Sequence, residues 1–297
     1  MLGNKDLEIV TTSLNINYVP PVNGVAQRPT IVPGSVTLHE GSGASWTSTK
    51  VFDTDQGLFF PNKPTITDVD GDGKFELVVN CPDKPSNGVY VFSSGADTAK
   101  NPMAVFKPGV RISKGMQNVE LSWDAEGKPR VLSPGVEYPD FAKTGLEFGK
   151  KLPLPTNIHP NKVRANMWKY VDYDGDGKTD VIVGVGDWTD YGWDNGYNAK
   201  GVWTKGPLRG FVYFIRNEGT NDKPKYLKPA KIEAAGKDLE VFGWPSPNFA
   251  DFDGDGDLDL ICGEFLDGFT YFENTGTRTE PKYAAGRRLT VPLGVTK

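Results

Sequence analysis

Short apolar runs separated by Gly- and Asp-rich turns dominate the chain, and few stretches keep helical spacing for long. LVVNC at 77–81, VIVGVG at 181–186 and LICG at 260–263 each follow a glycine-rich turn. Apolar, β-branched runs of this length bounded by such turns read as strands. A second kind of run is aromatic. FVYFIRNEGTNDKPKY at 211–226 and FTYFENTGTRTEPKY at 269–283 align nearly residue for residue, with GVYVFSSGADTAKNPMAVF at 88–106 as a weaker copy. Self-similarity at roughly 40–50 residues marks a propeller or a solenoid. Each unit reads as strand, acidic loop, strand, connection, aromatic strand, polar turn and last strand, which is a four-stranded antiparallel blade. The expected fold class is therefore all-β, a β-propeller of such blades. The 35 glycines and 23 prolines agree, since they suit many short strands better than long helices.

The acidic loops are DVDGDGKFE at 68–76, DYDGDGKTD at 172–180 and DFDGDGDLD at 251–259. Carboxylates at positions 1, 3, 5 and 9, a backbone carbonyl at 7 and a glycine at 6 suit a hard cation that takes six to eight oxygens. The expected cages are Asp68, Asp70, Asp72, Lys74 and Glu76; Asp172, Asp174, Asp176, Lys178 and Asp180; and Asp251, Asp253, Asp255, Asp257 and Asp259, the position-7 residues contributing their carbonyls. Asp and Gly also crowd metal-free hairpins. Three copies at one spacing argue for metal, because carboxylates this close repel unless a cation sits among them. About three calcium ions are expected. An EF-hand is excluded by context: helices should flank the loop and Glu should close it at position 12. Strands follow here, and position 12 is Val79 in the first loop and Cys262 in the third.

A fourth unit is hidden in LSWDAEGKPRVLSPG at 121–135, with Asp124 and Glu126 at positions 3 and 5, Ser122 at 1 and Arg130 at 9. It reads as a blade whose loop has lost the metal, with the Arg130 guanidinium in the cation's place. Residues 59–297 thus carry the blades, with an insertion at 187–210, and residues 1–58 form an N-terminal segment that supplies a degenerate blade or closing strands. Four blades fall short of the roughly seven or eight of a large ring. Either the N-terminal segment and the tail add strands, or other domains or chains complete the propeller.

The net charge of −5 is carried largely by the expected metal ligands, and three divalent ions would bring it close to neutral. No basic stripe marks a nucleic-acid partner. No apolar run approaches the length of a membrane span, and MLGNKDLEIV lacks the charged-then-apolar pattern of a secretion signal. Cys81 and Cys262 lie in or beside expected strands at different offsets from their loops, which favours buried free thiols over a disulfide. Calcium is plentiful outside the cytosol, so an extracellular or periplasmic setting is expected.

The DxDGDGxxD loop with a following ENTGT turn resembles the FG-GAP and VCBS repeats, over about residues 60–285. Such blades occur in integrin α-subunit heads, in secreted bacterial proteins and in propeller-shaped lyases acting on rhamnose- and uronate-containing glycans. The resemblance implies a carbohydrate context. Its shared residues are the metal ligands, so it names no catalytic group.

If the acidic loops join the first two strands of every blade, the other connections gather on the opposite face, where function concentrates on a rigid scaffold. These are 53–63, 82–88, 155–165, 187–210, 240–247 and 264–268. The insertion carries Trp188, Trp193, Trp203, Tyr191 and Tyr197 among Asp187, Asp190 and Asp194. Aromatic faces beside carboxylates suit sugar rings, and the expected substrate-binding residues are Trp188, Trp193, Asp187, Asp190, Asp194, Lys162 and Trp244. The competing reading is that a long loop needs an aromatic core of its own. For lyase chemistry a base and a carboxylate-neutralising cation are required, and His159, Arg164, Arg209 and Tyr191 are the candidates; His39 is weaker. A hydrolase would need two carboxylates, for which Asp187, Asp190, Asp194, Glu264 and Asp267 are available. The functional expectation is a secreted, calcium-stabilised propeller that binds a polysaccharide and degrades it, by lyase-type cleavage in preference to hydrolysis. The alternative is a non-catalytic adhesion or binding propeller.

Overall fold

The computed structural model describes residues 7–12, 15–17, 30–32, 35–42, 45–52, 62–81, 86–94, 106–113, 118–155, 158–159, 162–192, 198–200, 202, 204–265 and 268–289. The fold is that of a β-propeller, with four four-stranded antiparallel blades. Before them come β1 (Leu7–Thr12), β2 (Asn15–Asn17), β3 (Thr30–Val32), β4 (Val36–Ser42) and β5 (Ser45–Phe52). These form a three-stranded sheet, β1-β4-β5, and a hairpin, β2-β3. The N-terminal segment is therefore stranded, and His39 sits within β4, where its ring bonds the hydroxyls of Thr11 and Ser48, each at 2.8 Å.

The first blade is β6 (Asn62–Thr67), β7 (Glu76–Cys81), β8 (Gly88–Phe92) and β9 (Val110–Arg111). The second is β10 (Glu120–Trp123), β11 (Pro129–Ser133), β12 (Val136–Tyr138) and, after the single-turn helix α1 (Phe141–Thr144), β13 (Lys150–Lys151). The third is β14 (Val163–Val171), β15 (Asp180–Asp187), β16 (Arg209–Ile215) and β17 (Ala230–Lys231). After it come the hairpin β18 (Glu233–Ala234) and β19 (Lys237–Asp238), then β20 (Glu240–Phe242). The fourth is β21 (Ser246–Ala250), β22 (Asp259–Gly263), β23 (Phe269–Phe272) and β24 (Arg287–Leu289). In each blade the acidic loop joins the first strand to the second, including the degenerate copy at 124–128.

Five of the six expected connections overlap a strand. Arg164 and Ala165 belong to β14 rather than to a link, and Glu240–Phe242 is a strand. The reason for the latter is an unpaired edge: β17 covers only Tyr213 and Phe214 of β16, and β20 takes up Arg209, Gly210 and Phe211. Exposed backbone donors and acceptors of a strand edge recruit any nearby extended segment.

By contact the chain divides into two compact units, one drawn chiefly from Met1–Leu121 and Tyr138–Lys150, the other chiefly from Lys151–Lys297. In the first, Val36 of β4 joins Leu77, Val79, Cys81 and Phe92 in one buried cluster, on which Ile66, Tyr90 and Phe106 pack. Every residue of β7 is buried, which is why Leu77, Val78 and Val79 follow one another without alternation: a second strand is covered on both faces. In the second unit, Ile182, Val212, Leu239, Leu260, Cys262 and Phe272 form the core between the third and fourth blades, with Tyr173, Phe214 and Phe249 against it. Each such aliphatic side chain contributes about 1.5–3 kcal/mol by leaving water. Close approach of the two blades requires glycine at 184, where a Cβ would lie 2.2 Å from the Pro245 carbonyl oxygen. Both cysteines are buried free thiols, as expected.

Candidate functional site

The acidic loops are turned by glycines at positions 4 and 6, all with positive φ: Gly71 and Gly73, Gly175 and Gly177, Gly254 and Gly256. The position-1 carboxylate then organises the turn. Asp68 accepts the N–H groups of Gly71 (2.7 Å), Asp72 (3.1 Å) and Gly73 (2.9 Å), and Asp251 accepts those of Gly254 (2.7 Å) and Gly256 (3.1 Å). Position 9 ties the loop to the polar turn after the third strand. Asp180 accepts the N–H of Asn217 at 2.7 Å and of Tyr173 at 3.2 Å. Asp259 accepts from Asn274 at 2.8 Å, Phe252 at 3.2 Å and the Tyr271 hydroxyl at 3.0 Å. Asn217 and Asn274 in turn hold their own turns, each accepting two backbone N–H groups. The paired occurrence of the DxDGDGxxD and ENTGT motifs thus has a physical cause.

Three carboxylates per loop bring oxygens within 4.8 Å of one another: Asp68, Asp70 and Glu76; Asp172, Asp174 and Asp180; Asp251, Asp253 and Asp255. Which ones meet depends on position 7. In the first two loops it is a lysine, and Lys74 and Lys178 hold Asp72 and Asp176 at 3.2 and 2.9 Å, so the position-5 carboxylate turns away from the cluster. Hydrogen bonds from Lys74 hold the Asp72 carboxyl below its ordinary range. In the third loop position 7 is Asp257, and Asp255 joins the cluster while the position-9 Asp259 stays with its N–H donors.

Three loop carboxylates are pushed up, chiefly by burial. Burial pushes Asp180 up to about 7, against the bonds from Asn217 and Tyr173 and together with the charges of Asp174 and Asp176. Burial likewise raises Glu76, with Asp70, Asp72 and Asp68 adding to it. Asp257 is raised by burial and then by Asp255 and Asp259. Asp172 Oδ1, Asp174 Oδ1 and Asp257 Oδ1 are buried without a hydrogen-bond partner. Crowded acceptor-only oxygens with orphaned atoms fit a hard cation, which would neutralise the loop and fix its turn. The second loop also has protein cations: Arg216 lies 2.7 Å from Asp174, and Arg278, from the fourth blade's polar turn, lies 3.3 Å from Asp172 and donates to the Asp172 and Tyr173 carbonyls at 2.6 and 3.1 Å. In the fourth, degenerate loop Asp124 accepts from Glu126 (3.0 Å) and Lys128 (2.9 Å), and the ammonium at the loop is that of Lys128, 2.6 Å from Glu126.

At the other end of the third blade the expected rim residues form one network. Trp188 donates its backbone N–H to the Lys162 carbonyl at 2.6 Å and meets Tyr191, Trp244 and Phe265 edge-on at 5.5, 5.9 and 5.3 Å. The Arg164 guanidinium lies 5.6 Å from the centroid of the half-buried Trp244 ring. Glycine is required beneath that ring, since a Cβ on Gly186 would sit 2.4 Å from its Cδ1. The Asp190 carbonyl accepts the Gly206 N–H at 3.1 Å, closing the base of the insertion, and Asp187 accepts the Thr189 N–H at 2.9 Å. Arg209 pairs with Asp190 at 3.6 Å and with Glu240 at 2.9 Å. His159 closes a tight turn, its backbone bonded to Lys162 and Val163.

No family model, curated protein or solved structure matches this chain.

The geometry corrects two assignments. Trp188 is only 4% exposed, packed against Tyr191, Trp244 and Phe265, so it is a buried packing residue and not an open stacking face. Arg209, a candidate cation for a uronate, is already shared by two carboxylates. Trp193, Asp194, Tyr197, Trp203 and Asp267 lie outside the described residues. Of the hydrolase candidates, Glu264 accepts a hydrogen bond from the Thr270 hydroxyl and lies 3.5 Å from Arg288. Glu240 and Phe265 lie in the rim segments 240–247 and 264–268 that the sequence singles out, but no motif marks either as a site residue. One is in an unrecognised strand and the other in a turn, with no periodicity to flag either.

Proposed function

We propose that this chain is a calcium-stabilised β-propeller of the FG-GAP/VCBS type, working outside the cytosol, that binds a polysaccharide at the blade ends away from its acidic loops. The carrying observation is the rim network: Arg164 over Trp244, Trp244 against Trp188, and Asp190 with Arg209 gather sequence-distant aromatic and charged groups into one patch. A few placed polar groups beside aromatic surface are what a ligand site requires. Binding stands ahead of cleavage. A lyase needs a cation free to neutralise the substrate carboxylate, whereas Arg209 is bound to Asp190 and Glu240 and Arg164 lies on Trp244.

Retention on a panel of immobilised polysaccharides, with calcium present, tests the reading. Retention that Trp244→Ala weakens is expected, without formation of an unsaturated, ultraviolet-absorbing product from uronate-containing glycans. Absence of retention on every polysaccharide would sink it, and appearance of the unsaturated product would restore the lyase.

A further inference from the structure

We infer that a cleft at the edge of the fourth blade takes an uncharged sugar unit; the inference rests on the polysaccharide-binding reading above. The cleft has a volume of about 490 Å³ and is lined by Glu240, Phe242, Glu264, Thr270, Phe272 and Arg288 among others. That size falls within the roughly 300–1,000 Å³ of small-molecule sites. Its polar groups are built in. The Glu264 side chain is 6% exposed, bonded by the Thr270 hydroxyl and 3.5 Å from Arg288. Glycine at 268 lets this pair lie against the backbone, since a Cβ there would be 2.6 Å from an Arg288 nitrogen and 2.9 Å from Glu264 Oε2.

Charge decides the ligand class. Each carboxylate of the cleft already has its cation, Glu264 with Arg288 and Glu240 with Arg209 at 2.9 Å. Each pair is already neutral, so a charged ligand would meet no unbalanced counter-charge there, and one that displaced Arg288 would leave the buried Glu264 uncompensated, at a large cost. A hydroxylated neutral ligand breaks nothing. A carboxylate offers about four lone-pair sites and a guanidinium five N–H donors, so both members keep capacity after pairing. Neighbouring ring hydroxyls can donate to Glu264 and accept from Arg288 together. Phe242, 39% exposed at the cleft, offers an apolar face for the sugar's C–H groups.

Isothermal titration with neutral cello-, manno-, xylo- and galacto-oligosaccharides and with oligogalacturonate, at low and high salt, tests this. A neutral oligosaccharide is expected to bind with a salt-independent affinity that Glu264→Gln and Phe242→Ala each weaken about 10- to 100-fold, as loss of a charge-assisted hydrogen bond or an apolar contact does. Phe242 is exposed, so its variant reports binding even where Glu264→Gln fails to fold. Undiminished affinity in the folded variants, with loss in Trp244→Ala, would overturn the cleft and keep the polysaccharide reading. Preference for oligogalacturonate would overturn the neutral ligand. No binding of any saccharide to the wild-type chain would overturn both.

Discussion

The third acidic loop should depend on its cation more than the second, and the difference can be worked from the charges. It contains five carboxylates, at 251, 253, 255, 257 and 259, with no ion pair to a cation among the described residues. The second contains four, and Lys178, Arg216 and Arg278 lie within ion-pair distance of them. Replacing Asp253 and Asp255 together by Asn keeps the Oδ1 acceptors of the Asp255 and Asp257 N–H groups at 3.2 and 3.0 Å, while removing two ligand charges. Calcium at a hundred times its dissociation constant stabilises the folded state by about 2.7 kcal/mol per site. A unit of this size gains roughly 2–4 °C in Tm per kcal/mol.

Losing the third site should therefore remove about 5–11 °C of the calcium-dependent rise in Tm. In excess chelator the sign should reverse. The double variant should melt at or above the wild-type chain, because carboxylate oxygens within 4.8 Å of one another repel when no ion is present. Differential scanning calorimetry with calcium and with chelator, metal content verified, provides the four numbers. A variant less stable than wild type in chelator, by as much as in calcium, would refute the reasoning: the loop would then be held by its internal hydrogen bonds and not by an ion. The matching change in the second loop, Arg278→Met, should make that loop's stability more dependent on calcium.

Trp188→Ala should destabilise the second unit by about 3–5 kcal/mol in urea unfolding, as deletion of a buried Trp does, whereas Trp244→Ala, half-exposed, should cost less. A marginal loss at 188 would return that ring to the ligand. The thiols of Cys81 and Cys262 should resist a disulfide reagent in the native protein at pH 8 and react on unfolding; burial pushes Cys81 up to about 12 and raises Cys262 as well. Rapid native labelling would contradict that burial. Burial also pushes Tyr173 up to about 12, so the unfolded chain ionises first: its contribution to stability is full below pH 10 and falls as pH rises from about 10 to 12. Tyr173→Phe should flatten the alkaline fall of the urea midpoint, and an unchanged slope would exclude this tyrosine as its source.

The blade frame was legible because two independent signals repeat in phase. A second strand buried on both faces, such as Glu76–Cys81, carries an unbroken apolar run at Leu77–Val79 where an alternation would otherwise stand, and a turn that bends at two nearby positive-φ sites must carry glycine there. Those demands are local, so they are written locally. The degenerate loop is legible for the same reason, since Gly127 keeps its positive φ although Ser122 and Arg130 stand at positions 1 and 9. The rim was legible in membership but not in role. That Trp188 and Trp244 share a patch follows from blade topology, but which of the two faces outward depends on Phe265 and Tyr191 closing over Trp188, contacts between distant segments that no spacing encodes. Arg278 was illegible for a like reason: it reads as a polar turn residue of its own blade and acts on the loop of the one before.

The position-7 residue links these observations. A lysine there takes the position-5 carboxylate for itself, so Asp72 and Asp176 leave their clusters and Glu76 and Asp180 complete them. With an aspartate there, the position-5 Asp255 stands in the cluster in place of the position-9 carboxylate, although Asp180 and Asp259 are bonded alike to their polar turns. One motif therefore builds two kinds of cage, distinguished by a single charge. The loop built with Asp257 has a higher negative charge and fewer internal cations, so it should be the most tightly coupled to an added ion. It belongs to the fourth blade, the one whose far end carries the Glu264 and Arg288 cleft. Its strand β22 runs directly from Asp259, bonded to Asn274 and Tyr271, to Gly263, the residue before Glu264. An ion that stiffens this loop holds one end of that five-residue strand, and the cleft carboxylate stands at the other.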